Sequence, residues 1–384
     1  MSTGMVSVAA LVVAVLALAF ANGANDNFKG VATLLGSRMS DYRVAIWWAT
    51  LTTLAGSIVS MLLAAELVRA FSGRGIVGPA TADPWFLTCV GMAAATVLLA
   101  TRLGMPISTT YALVGALVAA GFVHTGDRVS LGGLATGFVL PLLVSPFLAI
   151  VGTMGLYVAA HSARLTVGVR KELCVCAGAE VVATAPVHEP GVFGVVTRMP
   201  TLHPAQECRE RYVGTIVTLI PVARILDALH FLSAEAVSFA RGLNDAPKIC
   251  GVLSVALTLG VFGLAETTSR AVALMLVGVV MAAGGLLAAR RVGHTMSFGI
   301  TGMNSGRALV GSVVTASLVI TASLAGSPVS TTHVSTGSLF GIRAVRASGI
   351  GLGGPEIGLA TLRSILLAWL LTLPTAAILG ALFQ

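Results

Sequence analysis

Asn25-Asp26-Asn27-Phe28-Lys29 and Asn244-Asp245-Ala246-Pro247-Lys248 are two copies of one motif, and each copy follows an apolar stretch of the chain. Together they hold two of the three lysines among 384 residues. Each motif places an amide, a carboxylate and an ammonium close together in a segment that otherwise suits lipid. Ionisable residues are costly inside a membrane, so their presence there indicates a functional site.

The composition around the motifs is that of a membrane protein. Apolar residues make up 56% of the chain and charged residues 10%, and the mean hydropathy is +0.94. A soluble domain would be about 25% charged. Runs without Asp, Glu, Lys or Arg and near the length of a spanning helix are Val44–Ala65, Pro84–Thr101, Leu103–Gly126, Ala271–Ala289 and Ser364–Gln384. The sequence therefore predicts an all-α polytopic protein of the cell membrane.

A second pair of motifs shows that the chain is duplicated. Gly104-Met105-Pro106-Ile107-Ser108-Thr109-Thr110-Tyr111 matches Gly326-Ser327-Pro328-Val329-Ser330-Thr331-Thr332-His333. The offset between copies is 222 residues here and 219 for the Asn-Asp motifs. We expect about five segments per half, some of them broken or half-crossing. An odd number inverts one half relative to the other, a plan typical of secondary transporters.

The two pairs of motifs and the polar segment between them predict three parts. These are a first membrane repeat over residues 1–163, a cytoplasmic linker over 164–212, and a second membrane repeat over 213–384. The run Ala308–Ile342 is too long for one crossing and is expected to break at Gly326-Ser327-Pro328.

The net charge of +8 is spread over helix ends, which argues against a nucleic-acid partner. The basic residues predicted on the cytoplasmic side are Arg38, Arg43, Arg102, Arg164, Arg170, Lys171, Arg198, Arg209, Arg211, Arg290, Arg291, Arg343 and Arg346. Both termini then face outward.

The Pro-x-Ser-Thr-Thr runs suit an oxyanion. We expect each proline in the first turn of a helix, with three hydroxyls beside the free backbone N–H groups of that terminus. Such a terminus carries partial positive charge and binds phosphate or sulfate. Two of them, one from each half, would clamp one anion. The alternative is that the hydroxyls only cap helices or bond across helix interfaces.

The Asn-Asp motifs need a cation, because a carboxylate repels an anion. Either Na⁺ binds there, where a helix is interrupted, or Lys29 and Lys248 meet Asp26 and Asp245 or the anion directly. Residues three apart share a helix face, which favours the ion pairs. A purely structural ion pair is the other reading.

The residues resemble the inorganic phosphate transporter (PiT) family of secondary carriers, which includes sulfate permeases. Gly23-Ala24-Asn25-Asp26 and Gly242-Leu243-Asn244-Asp245 resemble its duplicated signature, and the Pro-x-Ser-Thr-Thr runs its second repeated element. The resemblance implies an all-α inverted repeat and a homodimer. The binding residues that it carries over are Asn25, Asp26, Ser108, Thr109, Thr110, Asn244, Asp245, Ser330, Thr331 and Thr332.

The chain departs from the family where cation binding is concerned. The family has an amide three residues after the signature Asp, whereas this chain has Lys29 and Lys248. An ammonium has only donors and cannot ligate a metal ion, so we predict Na⁺ independence, with H⁺ coupling or exchange instead. We therefore add Lys29 and Lys248 to the predicted substrate site. Arg241 replaces a family His and either reaches the anion or extends to the interface.

The proposed coupling groups are Asp26, Asp245, His333, Asp227 and His230. His333 follows the second hydroxyl run and imidazole titrates near neutral pH. Asp227 and His230 are three apart on the helix that leads to the second signature, close enough to touch.

The cysteines of the linker predict neither a disulfide framework nor a metal site. Cys174, Cys176, Cys208, His188 and His203 match no standard zinc spacing. Reduced thiols are the expected state.

The sequence thus predicts a secondary active transporter of inorganic phosphate that works by alternating access, with no cofactor and no metal. A sulfate permease or a Na⁺-coupled phosphate symporter is the alternative. Neither His-Glu-x-x-His nor Gly-x-Ser-x-Gly occurs, so an enzyme is not expected. A channel stays open as a class, although channel pores are more often built by subunit symmetry. The expected partners are the anion and membrane lipid.

Overall fold

Membrane-spanning helices dominate the computed structural model. It describes residues 3–72, 83–125, 129–177, 179–183, 193–197, 201–211, 218–258, 266–300, 302–347 and 359–382. Six helical stretches are long and apolar enough to cross a bilayer: Val6–Gly36, Tyr42–Leu63, Leu131–Val167, Thr268–Ala288, Ser305–Leu324 and Arg363–Leu382. Two shorter apolar stretches are Phe86–Arg102 and Thr109–His124. Of the basic residues assigned above to the cytoplasmic side, Arg198 lies outside the described residues, as does His188.

The helices of the first half are α1 (Thr3–Asp26), α2 (Ala32–Gly36), α3 (Tyr42–Leu63), α4 (Ala65–Phe71), α5 (Pro84–Gly91), α6 (Ala93–Arg102), α7 (Thr109–Thr125), α8 (Leu131–Leu134) and α9 (Leu140–Val167). Asn27–Lys29 is a 3₁₀ turn and Ala135–Val139 a π turn. After the linker come α11 (Val222–Thr258), α12 (Glu266–Ala288), α13 (Arg290–Phe298), α14 (Ser305–Leu324), α15 (Thr331–Ala347) and α16 (Leu359–Leu382).

The two halves exchange partners in a reciprocal way. In the repeat, α1 corresponds to α11, α3 to α12, α7 to α15 and α9 to α16. The structure packs α1 on α12 and α11 on α3, and it packs α7 on α16 and α15 on α9. Each contact therefore has a counterpart with the halves swapped, which is consistent with the predicted inverted repeat of about five segments per half.

Matched glycines allow the central helices to approach closely. A side chain at Gly23 would collide with the Met281 backbone, and one at Gly242 would collide with the Thr53 backbone. Small residues permit such backbone contact between membrane helices. The glycines of the duplicated signature are thus packing residues of the α1–α12 and α11–α3 crossings.

Two helical hairpins turn back inside the protein. After α6 and after α14 the chain passes Gly104 and Gly326, whose φ angles are +71° and +65°. Glycine adopts this left-handed conformation without strain. Extended segments then lead to α7 and α15. The predicted break at Gly326-Ser327-Pro328 is present.

The expected position of the prolines was wrong. Pro106 and Pro328 lie in the extended segments, because α7 begins at Thr109 and α15 at Thr331. Ser108 accepts a hydrogen bond from the Tyr111 backbone N–H and Ser330 from that of His333, each at 3.2 Å. These serines hold the N-cap position, which fixes the helix start after the proline.

The central segment contains β-strands, whereas the sequence predicted only a linker there. They are β1 (Leu173–Ala177), β2 (Ala179–Ala183), β3 (Phe193–Thr197), β4 (Thr201–Pro204) and β5 (Thr218–Pro221), with α10 (Ala205–Arg211). The strand order is β4-β1-β5 in one antiparallel sheet, and β2 pairs with β3 in another.

The expectation of reduced linker thiols does not hold for one pair. Cys176 on β1 is bonded to Cys208 on α10, with Cα atoms 5.9 Å apart. The spacing of the cysteines could not predict this bond. The two residues come together because β1 pairs with β4, and α10 follows β4 directly. Among the described residues, no group of three His, Cys, Asp or Glu side chains is arranged to hold a metal ion.

Candidate functional site

The two Asn-Asp motifs are buried where the halves meet. The first lies at the end of α1 and in the 3₁₀ turn that follows, whereas the second lies inside the continuous helix α11. Asp26, Lys29, Asp245 and Lys248 are each at most 4% exposed. The expected helix interruption is therefore present in the first copy and absent from the second.

Both predicted ion pairs form. The Lys29 ammonium contacts Asp26 Oδ1, and Lys248 Nζ lies 3.5 Å from Asp245 Oδ1. Burying two charges is costly unless they are paired and further hydrogen bonded. The remaining donors of each lysine meet that need.

Each lysine joins its own half to the other half. Lys29 Nζ donates to Ile107 O and to Thr332 Oγ1, both at 2.7 Å. Lys248 Nζ donates to Val329 O at 2.5 Å and to Thr110 Oγ1 at 2.9 Å. The two sets correspond position by position in the repeat. The two hydroxyl-rich hairpin tips thus meet at the interface between the two halves, which we call the seam.

The carboxylates also accept hydrogen bonds from hairpin threonines. Asp26 Oδ2 accepts from Thr109 at 3.0 Å and Asp245 Oδ2 from Thr331 at 3.3 Å. Asn22 Nδ2 bridges the halves, because it lies 2.9 Å from Asp26 Oδ2 and 3.4 Å from Asp245 Oδ2. The two carboxylates therefore belong to one connected polar network.

The signature asparagines hold the hairpins in place. Asn25 donates to Thr101 Oγ1 at 2.9 Å and to Met105 O at 3.0 Å. Asn244 donates to Val329 O at 3.2 Å and accepts from Ser323 Oγ at 3.3 Å. An amide can both donate and accept, so each Asn joins its signature to the hairpin of the same half.

Arg241 is the unusual cation of this region. It is 1% exposed, and its Nε, Nη1 and Nη2 atoms make no hydrogen bond within the described part of the chain. It lies within electrostatic range of Asp245 and Asp26. A buried guanidinium whose donors are unused is costly. By the 219-residue offset, Arg241 occupies the position of Asn22 in the first half.

The coupling candidates are distributed unevenly. His333 is 3% exposed and packs between Tyr111 and Trp369, with ring centroids 4.4 and 3.9 Å away. Asp227 accepts a hydrogen bond from Ser305 at 2.6 Å. Asp227 and His230 precede Asp245 on α11, so they lie about 20 Å or more along the helix from it. The structure therefore does not bring these two residues into the cluster, by which we mean the buried polar network around Asp26, Lys29, Asp245 and Lys248.

The cavities that border the cluster are small. One is lined by Lys29, Thr33, Ser312 and Thr315 among others, and a second by Asn22, Thr109, Asp245 and Lys248 among others. Each has a volume of about 10 Å³, which is room for about one water. Neither of these two cavities has room for a tetrahedral oxyanion unless the lysine–threonine bonds between the halves open.

Sequence reasoning missed three polar partners. Asn22 lies one turn before Asp26, and Thr101 and Ser323 are separated by the same 222 residues as the hairpin motifs. Applying the two offsets to every polar residue of the apolar helices would have identified them.

Comparison with known proteins identifies the family of this chain. A profile of the phosphate transporter family matches residues 22–380. The chain belongs to the phosphate transporter family. It is therefore a multi-pass protein of the cell membrane and a transporter rather than an enzyme, and the predicted family is confirmed.

Relatives of this phosphate transporter family member cover nearly its whole length. A Mycobacterium bovis protein named "Probable low-affinity inorganic phosphate transporter" is 27% identical over 376 residues, which are 97% of this chain and 75% of that protein. A Rhizobium meliloti protein of the same name is 27% identical over 374 residues, 97% of this chain and 94% of that protein. A solved structure titled "The sodium-dependent phosphate transporter" has a TM-score of 0.73 at 20% identity and covers 98% of both chains. That likeness establishes a shared fold.

Proposed function

We propose that this protein is a secondary carrier that moves inorganic phosphate across the cell membrane by alternating access, coupled to protons or otherwise independent of Na⁺. The names of the relatives support phosphate as the substrate. The residues at the seam support the coupling.

One observation carries the proposal: the chain supplies its own cations where the two signatures meet. Lys29, Lys248 and Arg241 carry three positive charges, and Asp26 and Asp245 carry two negative charges. All five side chains are buried. The cluster therefore has an excess of one positive charge in a region of low polarity, where a neutral total is favoured.

Dihydrogen phosphate would neutralise this excess. It carries one negative charge, and its two hydroxyl groups could donate to Asp26 and Asp245. Monohydrogen phosphate would reach the same total if one proton accompanied it. With dihydrogen phosphate the cluster is neutral, and a bound Na⁺ would restore the excess. With monohydrogen phosphate the charge count is met by either H⁺ or Na⁺, but the ammonium groups of Lys29 and Lys248 offer no ligand atom to Na⁺, which favours H⁺ as the coupled ion.

The substrate would replace bonds that now cross the seam. In our proposal the anion enters between the hairpin tips, and Lys29 and Lys248 exchange Thr332 and Thr110 for phosphate oxygens. The site would be formed by Asn25, Asp26, Lys29, Ser108, Thr109, Thr110, Asn244, Asp245, Lys248, Ser330, Thr331 and Thr332, with Arg241 added. Ser108 and Ser330 would contribute through the helix starts that they cap.

Uptake of labelled phosphate into proteoliposomes tests the coupling. We expect uptake to follow an inward proton gradient and to be equal in Na⁺ and in choline buffers. Uptake that follows a Na⁺ gradient and ignores the pH gradient would contradict the proposal. Unlabelled arsenate and sulfate are added in parallel. Competition by arsenate alone supports phosphate, whereas equal competition by sulfate favours a sulfate permease.

A further inference from the structure

A second cavity lies away from the seam, where α9 ends and α11 and α14 begin. Its volume is about 290 Å³, far larger than the cavities beside the motifs. The three helix ends lie on the face that the distribution of basic residues predicts to be cytoplasmic. Neither the motifs nor the proposed transport cycle uses this cavity.

Local sequence explains how the cavity is built. The helix α9 stops at Gly168, which has a φ of +71°. The Val169 N–H then returns to Arg164 O at 3.1 Å, a helix ending typical of glycine at this position. This reversal brings Arg170 and Lys171 back beside the last turn of α9.

The polar side of the cavity is basic. Arg164, Arg170, Lys171 and Arg307 line it, and no Asp or Glu does so among the described residues. Arg307 is 9% exposed, so one of these charges is largely withdrawn from water. Two carboxylates adjoin lining residues in the sequence. Glu172 follows Lys171, and Asp227 follows Leu226 but accepts the hydrogen bond from Ser305. Four positive groups around one cavity favour an anionic ligand.

The rest of the cavity lining is largely apolar. Tyr157, Leu226 and Leu309 line the cavity. On the same end of α9, Leu165 is 63% and Val167 68% exposed, as expected for side chains in contact with acyl chains. A soluble anion would use only the basic side, whereas a ligand with a charged head and a hydrocarbon tail would use both.

We propose that this cavity binds an anionic glycerophospholipid of the cytoplasmic leaflet. Its phosphate would lie among Arg164, Arg170, Lys171 and Arg307, and an acyl chain would run along the apolar lining. Basic pockets between membrane helices on the cytoplasmic side suit such head groups. The lipid would tie α9 of the first half to α11 and α14 of the second.

Lipid-dependent thermal stability of the purified full-length protein tests this site. Phosphatidylglycerol is titrated into detergent micelles, with phosphatidylcholine and inorganic phosphate as separate arms. We expect phosphatidylglycerol alone to raise the midpoint of unfolding through this site. The double variant Arg170→Ala/Lys171→Ala removes two exposed charges and should need about 30-fold more phosphatidylglycerol for the same rise. The matched control Arg43→Ala/Arg102→Ala removes two exposed charges elsewhere and should behave as wild type.

A second variant separates a lipid from a free anion. Ala160→Phe fills cavity space beside Tyr157 on α9 and leaves every basic residue in place, so it should weaken the effect of phosphatidylglycerol as well. Equal titrations for all variants would overturn the proposal. So would a rise with inorganic phosphate that depends on Arg170 and Lys171, because the ligand would then be a free anion. A rise with phosphate that these substitutions leave unchanged would place phosphate elsewhere and support the lipid assignment.

Discussion

At the scale of single residues, the duplicated signature forms a buried network in which each charge has a defined role. The aspartates balance the lysines, and the lysines hold the hairpin tips of both halves. Among the five charged side chains of this network, Arg241 has donors that reach no acceptor in the described part of the chain. The sequence predicted a functional role for the aspartates and lysines because intramembrane charge is rare. It could not show which threonine each lysine reaches.

Asp26→Asn and Asp245→Asn should each abolish phosphate uptake while the protein still inserts into the membrane. Either change leaves a buried ammonium without its partner, at a cost of about 3 kcal/mol or more. Uptake in proteoliposomes and thermal unfolding measure both effects. Glu66→Gln is the control, because Glu66 is an exposed carboxylate in a surface ion pair with Arg69. Transport at the wild-type rate in either Asn variant would refute a role for the carboxylates.

Arg241→Gln should raise the KM for phosphate about tenfold or more, since a hydrogen bond to a charged group contributes roughly 1.5–3 kcal/mol. Without phosphate the variant should be at least as stable as wild type, because an unsatisfied buried charge has been removed. Arg241→Lys should keep part of the affinity. An unchanged KM together with lower stability would instead assign Arg241 a purely structural role.

At the scale of elements, glycines and serines determine how the helices begin, end and cross. Gly104 and Gly326 turn the hairpins, Ser108 and Ser330 cap the following helices, and Gly23 and Gly242 allow close crossings. The sequence predicted the break between α14 and α15 because Gly-Ser-Pro interrupts a run that is too long. It misplaced the prolines, since helix starts depend on cap hydrogen bonds that are settled in the folded hairpin.

Gly242→Val should destabilise the α11–α3 crossing, because the new side chain meets the Thr53 backbone, which cannot move aside cheaply. Overpacking of this kind costs about 1–3 kcal/mol. Gly155→Val on α9 is the matched control, because no atom of the described residues lies within 4 Å of the added Cβ. Thermal unfolding and yield of folded protein measure the difference. Equal stability of the two variants would show that the crossing tolerates a wider separation.

At the scale of the whole molecule, reciprocal contacts between the halves create the site. Helix α1 packs on α12 and α11 packs on α3, and the hairpin helices α7 and α15 each pack on the last helix of the other half. Neither half contains a complete cluster by itself, because each lysine takes one partner from the opposite half.

The orientation of the whole molecule can be tested by labelling with a membrane-impermeant maleimide. Arg69→Cys should react in intact cells, because Arg69 follows the end of α3 that is opposite to Arg43, which is predicted to be cytoplasmic. Arg43→Cys should react only after the membrane is permeabilised. The parent protein, whose free cysteines within the described residues are buried, measures the background. The opposite pattern would invert the predicted topology and place the basic cavity on the outer face.

The sequence by itself determined the class, the duplication and the chemical groups of the candidate site. Hydropathy and rare buried charge are local properties, and two motifs at nearly equal offsets reveal the repeat directly. Only the tertiary structure decided that Lys29 meets Thr332, 303 residues away, that Asn22 bridges both aspartates, and that Arg241 is buried with donors that reach no described acceptor. These facts depend on how helices pack across the seam, and packing between distant segments leaves no pattern in a single sequence.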